Sequence, residues 1–290
     1  MNRLTKSLAI TAALLGSLLL TGHRLDAVPP SDAELRLLTW NVGTVNPMDV
    51  RLPTRFEALA TKGIVGAKAN VVCLQEVQNL AQVTRLRDAI AAAGGPVYSV
   101  TIADSNPDRP DGRKTAFLYR GKAIKAPVWT SSSGYQAQAL VMERVTVVNI
   151  HGPAGAYKVR RSYYPELVKW IKTLPKPVVL AGDFNLGPRG GAGIAAVLPW
   201  ARKKDKALYN TLTSSFAAHT SGLGATTKYW LTFDHVMITG GTIEEQKKIT
   251  TERGWIMDHS PVLTRVLLPV PATRCKQVRG ILGALTAGPH

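Results

Sequence analysis

Cysteine is nearly missing from this chain, with 2 among 290 residues, which excludes a disulfide-rich scaffold. Glycine (25) and proline (18) are too few for a collagen-like chain. No His/Cys set stands at zinc spacing and no His-Glu-x-x-His occurs, so zinc chemistry has no support. No P-loop and no Gly-x-Gly-x-x-Gly after a strand occurs, so no nucleotide cofactor is expected. Acidic residues are also scarce: 19 Asp and Glu against 36 Lys and Arg, for a net charge of +17. Solubility asks a small domain for only ~2–8, so the excess points to a polyanion: nucleic acid, anionic lipid or acidic sugar.

What is present is a core. At 45% hydrophobic the chain is not disordered. Residues before 35 are net neutral and residues 269–290 carry +3, so +14 falls on residues 35–268 and the body itself is basic. Residues 1–27 read as a targeting segment, with Arg3 and Lys6 ahead of the uncharged stretch Leu8 to Leu20, shorter than the ~20 residues of a spanning helix. Leu25 and Leu20 spoil the cleavage positions after Ala27 and Gly22. Export is therefore expected, with the segment either removed or kept as an N-terminal anchor and the only membrane contact. Cys73, inside Val71-Val72-Cys73-Leu74, reads as a buried, inert thiol; Cys275 lies in the tail 269–290, which reads as poorly ordered.

Between these ends, short apolar runs alternate with helical patterns. Strands are expected at Leu35–Trp40, Val71–Leu74, Val97–Ile102, Thr115–Tyr119, Gln138–Met142, Val145–Ile150, Pro177–Ala181, Leu231–Ile238 and Val262–Leu268. Helices are expected over 54–68, 79–93 and 159–173, the second stopped by Gly94-Gly95-Pro96. The fold class is α/β.

The chemistry stands at the strand ends. Asn41 ends the first strand, Glu76 follows the second, His151 follows Val147–Ile150, and Gly182-Asp183-Phe184-Asn185 follows Val178–Ala181. Asp234 lies in the late strand, and Asp258-His259 precedes the last one. Oxygen donors of this kind suit a hard divalent cation such as Mg²⁺, with Mn²⁺ the alternative.

The ordered series Thr-Trp-Asn-Val (39–42), Leu-Gln-Glu-Val (74–77), Asn-Ile-His (149–151), Gly-Asp-Phe-Asn (182–185), Phe-Asp-His-Val (233–236) and Asp-His-Ser-Pro-Val (258–262) resembles the endonuclease/exonuclease/phosphatase superfamily. That superfamily includes pancreatic-type deoxyribonuclease, AP endonucleases, neutral sphingomyelinases and inositol polyphosphate phosphatases. The resemblance covers roughly 35–268. It implies a four-layer sandwich: two mainly antiparallel sheets face to face, with helices outside. It implies Glu76, Asn41 and Asp258 as metal ligands and Asp183 as the base for the attacking water, with Asn185 orienting water or phosphate. It further implies His259 as the charge stabiliser, Asp234 as its partner, and His151 at the phosphate or the leaving oxygen.

Two departures stand out. Arg113 falls near the place where pancreatic-type deoxyribonuclease carries an acidic partner for the first histidine, so the partner of His151 is missing or different. Met257 replaces the usual serine before the last Asp-His. Arg113, Arg160, Arg161 and Arg189 are the expected phosphate contacts. The run Arg202, Lys203, Lys204 and Lys206 reads as a solvated helix end; Trp255 and Tyr229-Trp230 read as core, and His235 as structural. The basic body favours DNA and a non-specific, monomeric, Mg²⁺-dependent endonuclease. A phosphatase or phospholipase-type member acting on inositol phosphate or sphingomyelin stays open, as does an inactive nucleic-acid binder.

Overall fold

The computed structural model describes residues 33–43, 52–103, 114–155, 157–192, 199–227, 230–249 and 258–269. The expected targeting segment, Arg113, Trp255, Tyr229, Cys275 and the tail beyond Pro269 lie outside them.

Two βαβ units organise the chain. In the first, β1 (Glu34–Asn41) leads through α1 (Leu52–Ala67) to the parallel strand β2 (Val71–Val77). In the second, β8 (Thr146–His151) leads through α3 (Tyr157–Ile171) to the parallel strand β9 (Val178–Asp183). Antiparallel neighbours extend each pair into a sheet. The first sheet runs β14 (Thr242–Lys248), β15 (Val262–Leu267), β1, β2, β4 (Lys114–Tyr119), β3 (Ser99–Ile102). The second runs β12 (Ala218–His219), β13 (Asp234–Ile238), β9, β8, β7 (Gln136–Met142), β5 (Ala123–Lys125), with β6 (Val128–Thr130) also on β7. Both sheets thus repeat one pairing series, antiparallel except for a single parallel step. Helix α2 (Leu80–Ala92) follows β2, capped by Asn79, whose side chain accepts from the Gln82 amide at 2.9 Å. A hairpin of β10 (Leu186–Gly187) and β11 (Gly190–Gly191) precedes α4 (Pro199–Thr213).

Strand alternation sorts the apolar residues into three layers. Leu38, Trp40, Val72 and Leu74 pack with Ile64, Val83, Leu86 and Ile90 on the outside of the first sheet. Val148, Ile150 and Leu180 pack with Tyr163, Leu167, Tyr209 and Leu212 outside the second. Leu35, Leu37, Val71, Cys73, Val147, Val179, Ala181, Val236 and Ile238 fill the space between the sheets. The result is the expected four layers. Cys73 is a free, buried thiol, and burial pushes its pKa up well above the ordinary value.

The inner faces change character along their length. Read toward one edge, they run Leu35-Leu37-Thr39-Asn41, Val71-Cys73-Gln75, Val147-Asn149-His151, Val179-Ala181-Asp183 and Ile238-Val236-Asp234, apolar at one end and polar at the other. Every one of these polar groups is buried. Gln75 Nε2 donates to Asn149 Oδ1 at 2.8 Å and to Thr39 Oγ1 at 3.1 Å. Asn149 Nδ2 donates to the Leu74 carbonyl at 3.0 Å and the Ala116 carbonyl at 2.9 Å. These bonds join the two sheets beneath the edge where the motifs converge.

Candidate active site

Each motif reaches this edge for a local reason. Alternation alone would turn Glu76 toward the helices, with Val72 and Leu74. A bulge between Leu74 and Val77 and a left-handed backbone at Glu76 (φ 60°) re-aim it to the edge. Asn185 is likewise left-handed (φ 48°). Such backbone costs about 1–3 kcal/mol per residue and persists where the surroundings fix it. Before Asp183, Gly182 adopts φ 144°, and a side chain there would strike the Ile150 carbonyl of the neighbouring strand. At Gly43 a side chain would occupy the space taken by the Glu76 carboxylate.

Asp183 is the hub. Its Oδ2 accepts from Asn41 Nδ2 at 2.9 Å and Asn185 Nδ2 at 3.4 Å, and its Oδ1 accepts from the Asn185 amide at 2.8 Å. Asn41 Nδ2 also donates to Glu76 Oε1 at 3.0 Å. His151 Nε2 stands 3.4 Å from Glu76 Oε1 and 3.7 Å from Asp183 Oδ2, so two carboxylates meet the histidine whose partner the sequence left open. On the other side His259 Nδ1 meets Asp234 Oδ2 at 2.8 Å, while its Nε2 lies 3.6 Å from Asp183 Oδ2 and 4.0 Å from Asp258 Oδ1. Trp40 Nε1 donates to the His259 carbonyl at 3.2 Å, and the Ser260 amide to the Thr226 carbonyl at 2.7 Å, fixing the loop.

Burial raises the Asp183 pKa; the nearby His259 and His151 and the Asn41 hydrogen bond pull it down, Asp234 pushes it up, and the net direction is upward. For His259, burial opposes the charged ring, but Asp234, Asp183 and Asp258 overcome it and carry the pKa to about 10. At neutral pH the edge therefore presents an imidazolium beside a carboxylate whose proton affinity is enhanced.

Asn41, Glu76, His151, Asp183, Asn185, Asp234, Asp258 and His259 thus all share one edge. Of the four arginines, Arg113 lies outside the described residues. Arg161 and Arg189 are exposed on α3 and at the β10–β11 turn. Arg160 corrects the sequence reading: it is fully buried, held by both Asp205 oxygens at 3.0 and 2.8 Å and donating to the Gly155 carbonyl, so its guanidinium ties α3 to α4 and cannot reach a substrate. Trp230 is also corrected. It is 78% exposed on a turn where the Trp230 and Leu231 amides both return to the Thr227 carbonyl or hydroxyl. His235 is buried against Tyr209 and the Thr232 carbonyl, and burial lowers it to about 4, a neutral structural group. Gln75 and Asn149 received no role from the sequence; their signal was a lone amide on the inward parity of an otherwise apolar strand.

The donor set fits a hard divalent cation. Asp183, Asp234 and His259 can each bring a ligand atom within 4.8 Å of the others. His259 Nδ1 and Asp234 Oδ2 are already engaged with each other, which leaves the carboxylate and amide oxygens of Glu76, Asp183, Asn41 and Asp258 as donors.

Comparison with known proteins agrees with this geometry. Residues 38–248 match the model of the Endonuclease/Exonuclease/phosphatase family, whose members typically depend on a divalent metal. A protein named "Deoxyribonuclease" from Thioalkalivibrio sp. (strain K90mix) is 28% identical over 195 residues, 57% of this chain; the chain spans only 50% of that relative. The crystal structure of the endonuclease/exonuclease/phosphatase from Bacteroides vulgatus superposes with a TM-score of 0.61 at 16% identity, covering 81% of this chain and 99% of that one. The human Nocturnin catalytic domain with bound sulfate superposes at 0.57 and 16% identity, covering 82% and 95%. Sequence match, sheet topology and the converging motifs lead to one conclusion: the chain belongs to the Endonuclease/Exonuclease/phosphatase family.

Proposed function

We propose that this protein is an exported, Mg²⁺-dependent phosphodiesterase that cuts DNA without reading its sequence, with residues 35–268 as the catalytic body. The observation that carries the reading is the pairing of Asp183 with a charged His259 at 3.6 Å on an edge that also gathers Asn41 and Glu76. Asp183, with its raised proton affinity, takes a proton from the attacking water, which Asn185 orients. His259, held through Nδ1 by Asp234, meets the negative charge that grows on the phosphoryl oxygens. His151 serves the leaving side, next to Glu76. Glu76, Asn41 and Asp258 would hold the metal, which when bound supplies Lewis-acid polarisation of a phosphoryl oxygen. The net charge of +17 and the deoxyribonuclease relative support DNA as the substrate.

The test is nicking of plasmid DNA by the purified chain with Mg²⁺, with EDTA, and with EDTA followed by excess Mg²⁺ or Mn²⁺. Loss in chelator and recovery with metal are expected. Full activity in chelator removes the metal, and an intact plasmid alongside phosphate release from inositol phosphates, or hydrolysis of sphingomyelin, replaces the nuclease with those alternatives.

A further inference from the structure

Two tryptophans stand out in water among the described residues, Trp230 at 78% and Trp200 at 62% exposure. They lie at opposite ends of a chain of neighbours that passes the site. The Trp230 turn begins at Thr227, which bridges to His259. Just beyond the turn, the Thr232 carbonyl lies against Gly187, where a side chain would collide with it. Gly187 belongs to the β10–β11 hairpin, which issues from Asn185 and exposes Arg189 at its turn. At Gly190, a Cβ would sit 3.3 Å from Arg202 on α4. Helix α4 then presents Trp200 and the exposed Arg202, Lys203, Lys204 and Lys206. Lys204 Nζ lies 5.6 Å from the centre of the Trp200 ring.

An ordinary solvated helix would balance such charges. Here the one acid of α4, Asp205, is buried on Arg160, so the helix has no acid of its own to set beside Lys203, Lys204 and Lys206. Trp230 and Trp200 likewise leave most of their indole surface in water. Cations that follow a phosphate backbone, interleaved with open aromatic faces, match a strand whose bases are free to stack. A duplex hides those faces inside its own stack.

We propose, resting on the nuclease reading above, that this strip is a track for single-stranded nucleic acid, with Trp230 stacking a base on the His259 side of the site and Trp200 one on the Asn185 side. The substrate class is then unpaired polynucleotide, with duplex cut where strands separate.

The experiment measures cleavage of one sequence as single strand and as duplex, with bis(p-nitrophenyl) phosphate as a probe too small to reach the track. Wild type shows the lower KM on the single strand. Trp200→Ala and Trp230→Ala each raise that KM by roughly five- to a hundredfold, the span expected for removing one base stack. Trp230→Phe, which keeps an aromatic face, restores most of it. Turnover of the small diester and the melting temperature stay at wild-type values. Lys203→Ala/Lys206→Ala flattens the salt dependence on the single strand by about 0.7 for each phosphate no longer neutralised. Alanine variants with wild-type KM on the single strand, or a wild-type preference for duplex, overturn the track while DNA cleavage persists. A wild-type protein that hydrolyses the diester but cuts no DNA overturns the nuclease reading and the track with it.

Discussion

Asp234→Asn is the most informative single change, because it removes one charge and little else. In the folded protein His259 is raised to about 10 against an ordinary value near 6.5. At about 1.4 kcal/mol per pH unit, the surrounding carboxylates together favour the imidazolium by about 5 kcal/mol net of burial. Asp234 makes the shortest contact, 2.8 Å against 3.6 Å for Asp183 and 4.0 Å for Asp258. A charge-assisted hydrogen bond of that kind is worth about 1.5–3 kcal/mol, so its loss moves the His259 titration down by about one to two pH units. The sign for stability follows. A histidine whose pKa is raised on folding stabilises the fold fully below about 6.5 and loses that contribution as pH climbs through about 10. Urea unfolding of the wild type therefore weakens between pH 6 and pH 10, and in Asp234→Asn the loss is smaller and comes earlier. The assays are an NMR titration of the His259 ring, the pH–rate profile with plasmid DNA, and urea midpoints across that range. The alkaline limb of activity should fall with the ring. If His259 in the variant still titrates near 10, Asp234 does not hold the charge; if the wild-type ring titrates near 6.5, there is no imidazolium at neutral pH and the proposed charge stabiliser fails.

Three further changes address other parts of the edge. Asp183→Asn and His259→Ala each lower turnover by about 10²-fold or more with the circular dichroism spectrum intact; a folded Asp183→Asn protein of near wild-type turnover removes Asp183 from the chemistry. Glu76→Gln raises the Mg²⁺ concentration for half-maximal cleavage by about tenfold or more, and an unchanged metal titration takes Glu76 off the metal. Arg160→Met strands the buried Asp205 carboxylate and costs about 3–5 kcal/mol in denaturant titrations, most of which the double variant Arg160→Met/Asp205→Leu recovers. Equal stability of the single variant and the wild type would contradict the buried pair.

Much of the edge was legible in the sequence because its groups sit at the ends of strands that announce themselves. Val178–Ala181 and Val147–Ile150 are apolar runs that end on Asp183 and His151, so parity and motif agreed. What stayed hidden was hidden for physical reasons. Strand β14, Thr-Ile-Glu-Glu-Gln-Lys-Lys, is an edge strand with mostly exposed side chains and shows no apolar alternation. Helix α4 places Asp205 in the buried stripe of Ala201, Tyr209 and Leu212, which breaks the pattern that would have marked it, and Arg160 is the distant reason that charge is tolerated. The strand expected from Leu231 starts at Asp234, and the residues before it turn back instead: the Thr226 and Thr227 amides donate to the Leu231 carbonyl and the Phe233 amide to Thr226 Oγ1 at 3.1 Å. Trp230 looked like core by composition, and only the turn decided its exposure. The bulge that turns Glu76 to the edge depends on pairing with β4, which no local pattern of β2 reveals.

The matching series in the two sheets has a consequence for how this protein fails. Asn41 and Glu76 belong to the first sheet, His151, Asp183 and Asp234 to the second, and His259, on the loop that leads into β15 of the first, takes its proton-holding partner from the second. Neither half owns a working set. Each sheet has its own apolar layer against its own helices, while at the motif edge the two are joined by amides rather than by hydrocarbon. Activity is therefore a gauge of alignment between halves. A small shift of one sheet over the other keeps the two outer layers covered and strains only the shared inner layer, yet it separates the base from the Asn41 amide and the imidazolium from its counter-charge. Inactivation should precede unfolding.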